Sequence, residues 1–316
     1  MTAVLPEGCT TRPPVPADAE AIFALIAARN TAAVGVASYT LTAMIDELAE
    51  PGFDLTTDAW LVFGGDTLAG YGSAFGKGDH RLINIEVVAP DPVVGAWLLE
   101  QITRRAAGMG RKKGHADVTI DAGAYRQDEA KRDLLAGRGF RPGTTYHQMR
   151  LDHAEPLAPP EPPPGITIRR GAYDDAARRA AHAVVEETFD GQFGFVRRPY
   201  EMWYDARESR STFDWSQLTL LEVDGRPVAV RECTDEYLVE ENCGYIGRLG
   251  VLEAARGRGL ATFLLRDAFY ADAAAGRSGT ILHVDTNNPT PALGLYLSVG
   301  MRATIVIDVW RLVLPV

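Results

Sequence analysis

One stretch divides this chain more sharply than any other. Leu157 to Gly165 reads LAPPEPPPG. Consecutive prolines lack the N–H groups that helices and sheet ladders need, and they favour a stiff, extended connector. The stretch falls near the middle of 316 residues. A single core rarely outgrows ~250–300 residues. The sequence therefore predicts two domains, 1–153 and 166–316, joined by a proline-rich linker at 154–165.

The two halves repeat one plan. Each opens with a short strand and a helix, over Thr11 to Ala28 and over Ile166 to Glu187. In the first, Asp18 stands before an apolar helical spacing (Ile22, Phe23, Leu25, Ile26) and is placed to cap it. Tyr173 and Asp174 hold the same place in the second. A hairpin follows in each: Trp60 to Phe63 and Leu68 to Phe75 around Gly64-Gly65-Asp66, then Leu218 to Val223 and Val228 to Cys233 around Asp224-Gly225-Arg226. Glycine turns between alternating apolar runs mark hairpins. Next come strand, helix, strand and helix: 82–88, 93–107, 116–121 and 128–138, against 245–252, 260–273, 280–285 and 291–299. Gly139-Phe140 and Gly300-Met301 then precede a closing strand. A repeat of this size is a duplicated α/β domain, with a mixed sheet and helices on its faces.

Charge and cysteine content exclude several functions. With 42 acidic against 32 basic groups the net charge is −10, which argues against nonspecific nucleic-acid binding. No apolar run approaches the ~20 residues of a membrane span, and Met1 to Thr11 lacks a signal-peptide layout. Cys9, Cys233 and Cys243 show neither a CxxC nor a Cys/His metal spacing. A cytoplasmic protein without membrane, nucleic-acid or metal partners is expected.

The chemistry concentrates after the strand at 245–252. Arg256-Gly257-Arg258-Gly259-Leu260-Ala261-Thr262 joins that strand to a helix. Glycines at 257 and 259 let the backbone curl closely around a ligand. The N–H groups from Gly257 to Thr262 lie at a helix N-terminus, where unpaired donors and the dipole favour an anion. Arg256 and Arg258 add positive charge. The ligand this suits is a diphosphate; the alternative is a surface turn rich in Arg and Gly.

This segment resembles the acyl-CoA-binding signature of the GCN5-related N-acetyltransferase (GNAT) superfamily, R/Q-x-x-G-x-G/A, with Arg256, Gly259 and Ala261 at the defining positions. A second block, Asn288-Pro-Thr-Pro-Ala-Leu-Gly-Leu-Tyr296 through Gly300-Met301, resembles the family's Asn…Ala…Leu-Tyr…Gly-Phe block. The resemblance implies two tandem GNAT-like domains, each a mixed, mostly antiparallel twisted sheet flanked by helices. It implies acetyl-CoA, or another acyl-CoA, as cosubstrate, with no metal. Leu249, Gly250 and Val251 would pair with the pantetheine arm, Gly257 to Thr262 would hold the diphosphate, and Asn288 would lie beside the ligand. Tyr296 would be the general acid that protonates the leaving thiolate. For the base the resemblance expects a carboxylate near position 245, where this chain has a tyrosine. Glu232, Asp235, Glu241 and His283 are the nearby candidates, Glu232 and His283 foremost, and a water chain serves equally.

The first half departs from that pattern. Its corresponding loop reads Val88-Ala-Pro-Asp-Pro-Val-Val94, and Leu135 replaces the tyrosine. Pro90 and Pro92 remove donors and Asp91 repels a diphosphate, so the first half reads as a degenerate copy. Phe189, Phe193, Phe195, Tyr200, Trp203 and Tyr204 suggest an aromatic acceptor pocket, with Asp190 and Glu201 able to attract a cation. The expected acceptor is a small-molecule amine, and the protein a monomer or homodimer. The alternatives are a non-catalytic acyl-CoA-binding sensor or scaffold, and a protein N-acetyltransferase.

Overall fold

A computed structural model of the protein describes residues 3–154 and 156–316. In chain order the elements are β1 (Cys9–Arg12), α1 (Ala19–Val34), α2 (Leu41–Leu48), α3 (Leu55–Asp58), β2 (Ala59–Gly64), β3 (Thr67–Lys77), β4 (Leu82–Val88), α4 (Pro92–Lys113), β5 (Asp117–Tyr125), α5 (Glu129–Gly137) and β6 (Arg141–Asp152). Then follow β7 (Thr167–Arg170), α6 (Asp175–Phe189), α7 (Tyr200–Glu208), β8 (Leu218–Val223), β9 (Arg226–Thr234), α8 (Leu238–Glu241), β10 (Cys243–Val251), α9 (Leu260–Ala274), β11 (Gly279–Asp285), α10 (Ala292–Ser298) and β12 (Arg302–Pro315). The duplicated plan is present in full. Asp224 and Gly225 both take positive φ, 50° and 73°, the turn that matches strand twist in a two-residue hairpin.

The chain forms two compact units, one running to Thr145 together with Val306–Val316, the other Tyr146–Ile305. In the first the strands run β1-β2-β3-β4-β5-β12, and in the second β6-β11-β10-β9-β8-β7. Recorded neighbours are antiparallel except β4 with β5 and β10 with β11, which are parallel. In the first unit α4 packs Val94, Leu98 and Ile102 against Ile83, Ile85 and Ile120. On the other face Ile22, Ile26 and Met44 meet Leu61 and Tyr71. In the second unit α6 and α7 cover Leu218, Leu220 and Val230. Opposite them, α9 and α10 pack Leu265, Phe269 and Tyr296 onto Ile246, Leu282 and Val284. Helices thus cover both faces of each sheet, the α/β class expected.

Two expectations change. The halves exchange their closing strands: β6 pairs with β11, Val284 opposite His147 and Leu282 opposite Met149. β12 pairs with β5, Trp310 opposite Ala122. The compact units therefore part at 145/146 and 305/306, not at the prolines. The driving force is burial. Met149 is enclosed in the second unit's core, and Trp310, with Leu312 and Leu314 against it, in the first unit's. Asp18 does not cap α1. It binds Arg12 through two hydrogen bonds of 2.7 Å and accepts from Val15 N. Asp174, by contrast, caps α6 through Ala177 N at 2.7 Å. Among the described residues no helix is long and apolar enough to cross a membrane.

Candidate active site

The site is built where two parallel strands part. β10 and β11 pair only from Cys243↔Gly279 to Ile246↔Leu282. Beyond that point β10 continues to Val251 and β11 to Asp285 without pairing to each other. On its other edge β10 stays bonded to β9 through Leu249↔Arg231, Gly250↔Val230 and Val251↔Ala229. The register slips between Ile246 and Arg248, which makes Gly247 an extra, bulged residue. A bulge shifts the alternation of side chains by one. Before it, Ile246 faces α9 and α10 and Tyr245 faces away from them. After it, a Cβ on Gly250 would meet the Thr188 side chain of α6 at 2.4 Å. Tyr245 and Arg248 therefore share the face that looks toward α6 and α7.

The strand ends in a short turn and then the glycine loop. Gly257 and Gly259 take φ of 74° and 77°, the left-handed region, and Gly259 is the residue before α9. A Cβ at either would meet nothing within 4 Å. Among the described residues no protein acceptor is recorded for the amides of Gly257, Arg258, Gly259, Leu260, Ala261 and Thr262; the first helical turn bond is Phe263 N to Gly259 O. Arg256 turns back and donates to Val251 O at 3.3 Å. A run of free donors at a helix start with space above it suits an anion.

Tyr296 stands on α10 and is 8% exposed. It packs in one cluster with Ile246, Leu249 and Leu282, at the point where the strands diverge. Burial pushes its phenol up to about 12, so it stays protonated at neutral pH. Asn288 accepts from Thr290 N at 2.9 Å and Thr290 Oγ1 at 2.8 Å, and its amide lies 3.4 Å from Gln192 Oε1. It is thus a turn-former tied to the loop after α6.

The α6/α7 side holds the polar groups. Tyr245 Oη is hydrogen-bonded to His283 Nδ1 at 3.1 Å, and the Tyr237 ring meets Tyr245 edge-on at 5.2 Å. Burial holds Tyr245 well above its ordinary value and lowers His283 to about 4, so both are neutral near pH 7. Glu232, a candidate base, is buried and gives both oxygens to Arg207 at 2.8 and 2.6 Å. Arg207 stacks on Trp203 at 3.9 Å. Asp235 is bonded to Arg277 and Glu241 to Arg150, each at 2.7 Å. Each of these carboxylates is thus engaged by a guanidinium rather than left open to a substrate proton. The structure therefore gives Glu232 the task of an ion-pair partner. His283 is left as the candidate on this face without a hydrogen-bonded cation among the described residues.

The buried imidazole also sets an acid limit. A histidine whose folded value lies near 4, against 6.5 when unfolded, binds fewer protons in the native state. Stability is therefore full above about pH 6.5 and declines as pH falls toward 4. The loss is about 2 kcal/mol at pH 5. Urea unfolding at pH 7 and 5 should show this loss shrinking by about that amount in His283→Gln. Equal losses in both proteins would refute it.

The first unit repeats the parting of strands but not the loop. β4 and β5 pair only from Leu82↔Thr119 to Ile85↔Ala122, while β3 and β4 run in uninterrupted register. At the start of α4, Asp91 caps Val93 N at 2.7 Å and Pro92 occupies the first turn. A carboxylate of the chain stands where an anion would be bound, and Leu135 is fully buried.

Residues 183–301 match the profile of the acetyltransferase (GNAT) family. A GCN5-related N-acetyltransferase from Sphaerobacter thermophilus superposes with a TM-score of 0.82 at 26% identity, covering 99% of this chain and 98% of that one. A tandem GNAT protein from the clavulanic acid biosynthesis pathway matches with a TM-score of 0.71 at 17% identity, covering 96% and 98%. The second unit thus carries a GNAT-family domain, the chain has the tandem GNAT fold, and by class it is an N-acetyltransferase. Within that class it is similar to the mycothiol acetyltransferase of Streptomyces avermitilis. The two are 28% identical over 248 residues, 76% of this chain and 75% of the relative.

Sequence reasoning missed part of the α6/α7 side. Arg248 lies on the strand read at 245–252, but only the bulge at Gly247 turns it to the face that Tyr245 occupies. Tyr146, whose hydroxyl donates to Phe193 O at 3.3 Å, arrives on an exchanged strand. Of the aromatic set, Trp203 packs in the core with Trp215, and Tyr200 and Tyr204 pack against it. Asp190 is bonded to Arg197 at 2.7 Å.

Proposed function

We propose that the second unit transfers an acetyl group from acetyl-CoA to the primary amine of a small molecule. The observation that carries this reading is the parting of β10 and β11 directly before a loop of unpaired amides, with a buried protonated tyrosine at the fork. The diphosphate of the donor lies over Gly257 to Thr262, with Arg256 and Arg258 adding charge. The pantetheine arm runs along Leu249, Gly250 and Val251, whose edge toward β11 is not used by that strand.

The neutral amine attacks the thioester carbonyl from the α6/α7 side. A strand N–H in the fork stabilises the oxyanion. The C–S bond then breaks, and Tyr296 donates its proton to the departing thiolate from the α9/α10 side. The amine's surplus proton leaves on the opposite face, past Tyr245 and His283 to solvent. Acid and proton outlet thus lie on different sides of one sheet. The relatives' name supports a small-molecule acceptor, and the ion-paired state of Glu232 separates this chain from a simple carboxylate-base scheme.

Calorimetric titration with acetyl-CoA tests the reading. One equivalent should bind, because the first unit's loop is filled by Asp91 and Pro92. In Gly259→Asp the affinity should fall roughly tenfold to hundredfold, since a carboxylate faces the diphosphate and a left-handed position is lost. Unchanged affinity, or two equal sites, would sink it.

A further inference from the structure

We propose that the amine acceptor carries a carboxylate and that Arg248 receives it; this deepens the acetyl-transfer reading and rests on it. Arg248 and Tyr245 share the acceptor-facing side of β10 because the bulge lies between them. Across the sheet Arg248 is paired with Glu232. Both oxygens of Glu232 are already taken by Arg207, and Arg248 Nε lies 3.7 Å from the nearer one, past hydrogen-bond range. Among the described residues the Arg248 guanidinium has no recorded hydrogen bond, and its side chain is 37% exposed. It lies 5.2 Å from the Phe189 ring centre and 6.0 Å from that of Phe195.

The arrangement is that of a prepared anion receptor. Ring faces hold the planar guanidinium in place and leave its N–H edges for a ligand. A planar fork of donors matches a carboxylate with two parallel hydrogen bonds. The charges around Tyr245 agree. Glu232 is shared by two guanidiniums, Arg207 at 2.6 Å and Arg248 at 3.7 Å, which leaves these three groups with one more positive charge than negative, and Arg248 and Arg210 act on the Tyr245 hydroxyl with the sign opposite to Glu236. The acidic groups that could have drawn a purely cationic acceptor are engaged elsewhere, Asp190 with Arg197 and Glu201 beside Arg179 at 4.0 Å.

The test uses matched acceptors. A series of ω-aminocarboxylates of increasing chain length, from glycine upward, is compared with the corresponding carboxamides in an assay of CoA release from acetyl-CoA. At the best length the carboxylate should exceed its carboxamide in kcat/KM by roughly tenfold to hundredfold. In Arg248→Met that preference should vanish through KM of the amine, with KM for acetyl-CoA unchanged, and Arg248→Lys should restore part of it. Carboxamides used equally well, or a carboxylate preference that survives Arg248→Met, would overturn the inference. Acetylation of neither series would overturn it too. Acetyl-CoA binding, measured separately, then decides whether the broader reading falls with it.

Discussion

Replacing Tyr296 by phenylalanine should lower kcat about a hundredfold or more while leaving KM for acetyl-CoA nearly unchanged. General acid catalysis by a positioned side chain contributes roughly 10²–10⁴ in rate. Tyr296 meets the requirements: it is buried at the fork of β10 and β11, and its phenol is held at about 12 and so keeps its proton. Phenylalanine fills the same space. The hydroxyl has no recorded hydrogen-bond partner among the described residues, so folding should be little affected. The defect should be smaller with an acetyl thioester of a more acidic thiol, which needs less help to leave. A variant that keeps full rate, or loses donor affinity instead, would show that the tyrosine is packing only.

Asp267 on α9 should be the costliest single carboxylate to remove. It is 3% exposed and joins three elements. Arg170 of β7 reaches it through two hydrogen bonds, of 2.7 and 2.6 Å. Arg231 of β9, itself buried, binds it at 2.7 Å and also reaches Leu264 O and Thr219 Oγ1. Burial alone would raise this carboxyl, but the two guanidiniums outweigh it and hold it below the ordinary range. Its contribution is therefore present above about pH 4 and is lost only as pH falls through the lowered native value. Breaking a buried pair leaves an uncompensated charge and costs about 3–5 kcal/mol. For a unit of this size, that is a fall in Tm of about 10 °C in Asp267→Ala. A shift of a degree or two would mean that Arg231 finds another partner.

Much of the fold is readable from residues that act locally. Glycine turns, apolar spacing and the Arg-Gly-Arg-Gly loop each specify their element without help from distant parts of the chain, and the hairpins and the strand-to-helix loop stand where they should. The first unit's loop was legible for the same reason, since Pro90, Asp91 and Pro92 remove or fill donors wherever they occur. What depends on pairing was not legible. The bulge at Gly247 sends Arg248 to the same face as Tyr245, and nothing in the composition of that strand announces it. Glu232 reads as a free carboxylate until α7 brings Arg207 against it. Asp18 reads as a cap until Arg12 folds back onto it.

The closing strands carry a practical lesson. Because β6 and β12 each complete the sheet built mainly from the other half, cleavage at Leu157–Gly165 would not release two self-sufficient pieces. Each fragment would keep a strand belonging to its sister and expose the raw edge of β5 or β11, an invitation to clump. Mixed together, the two pieces should find one another again. Each half is thus the other's missing part, which ties the survival of the first copy to that of the second, whatever either one binds.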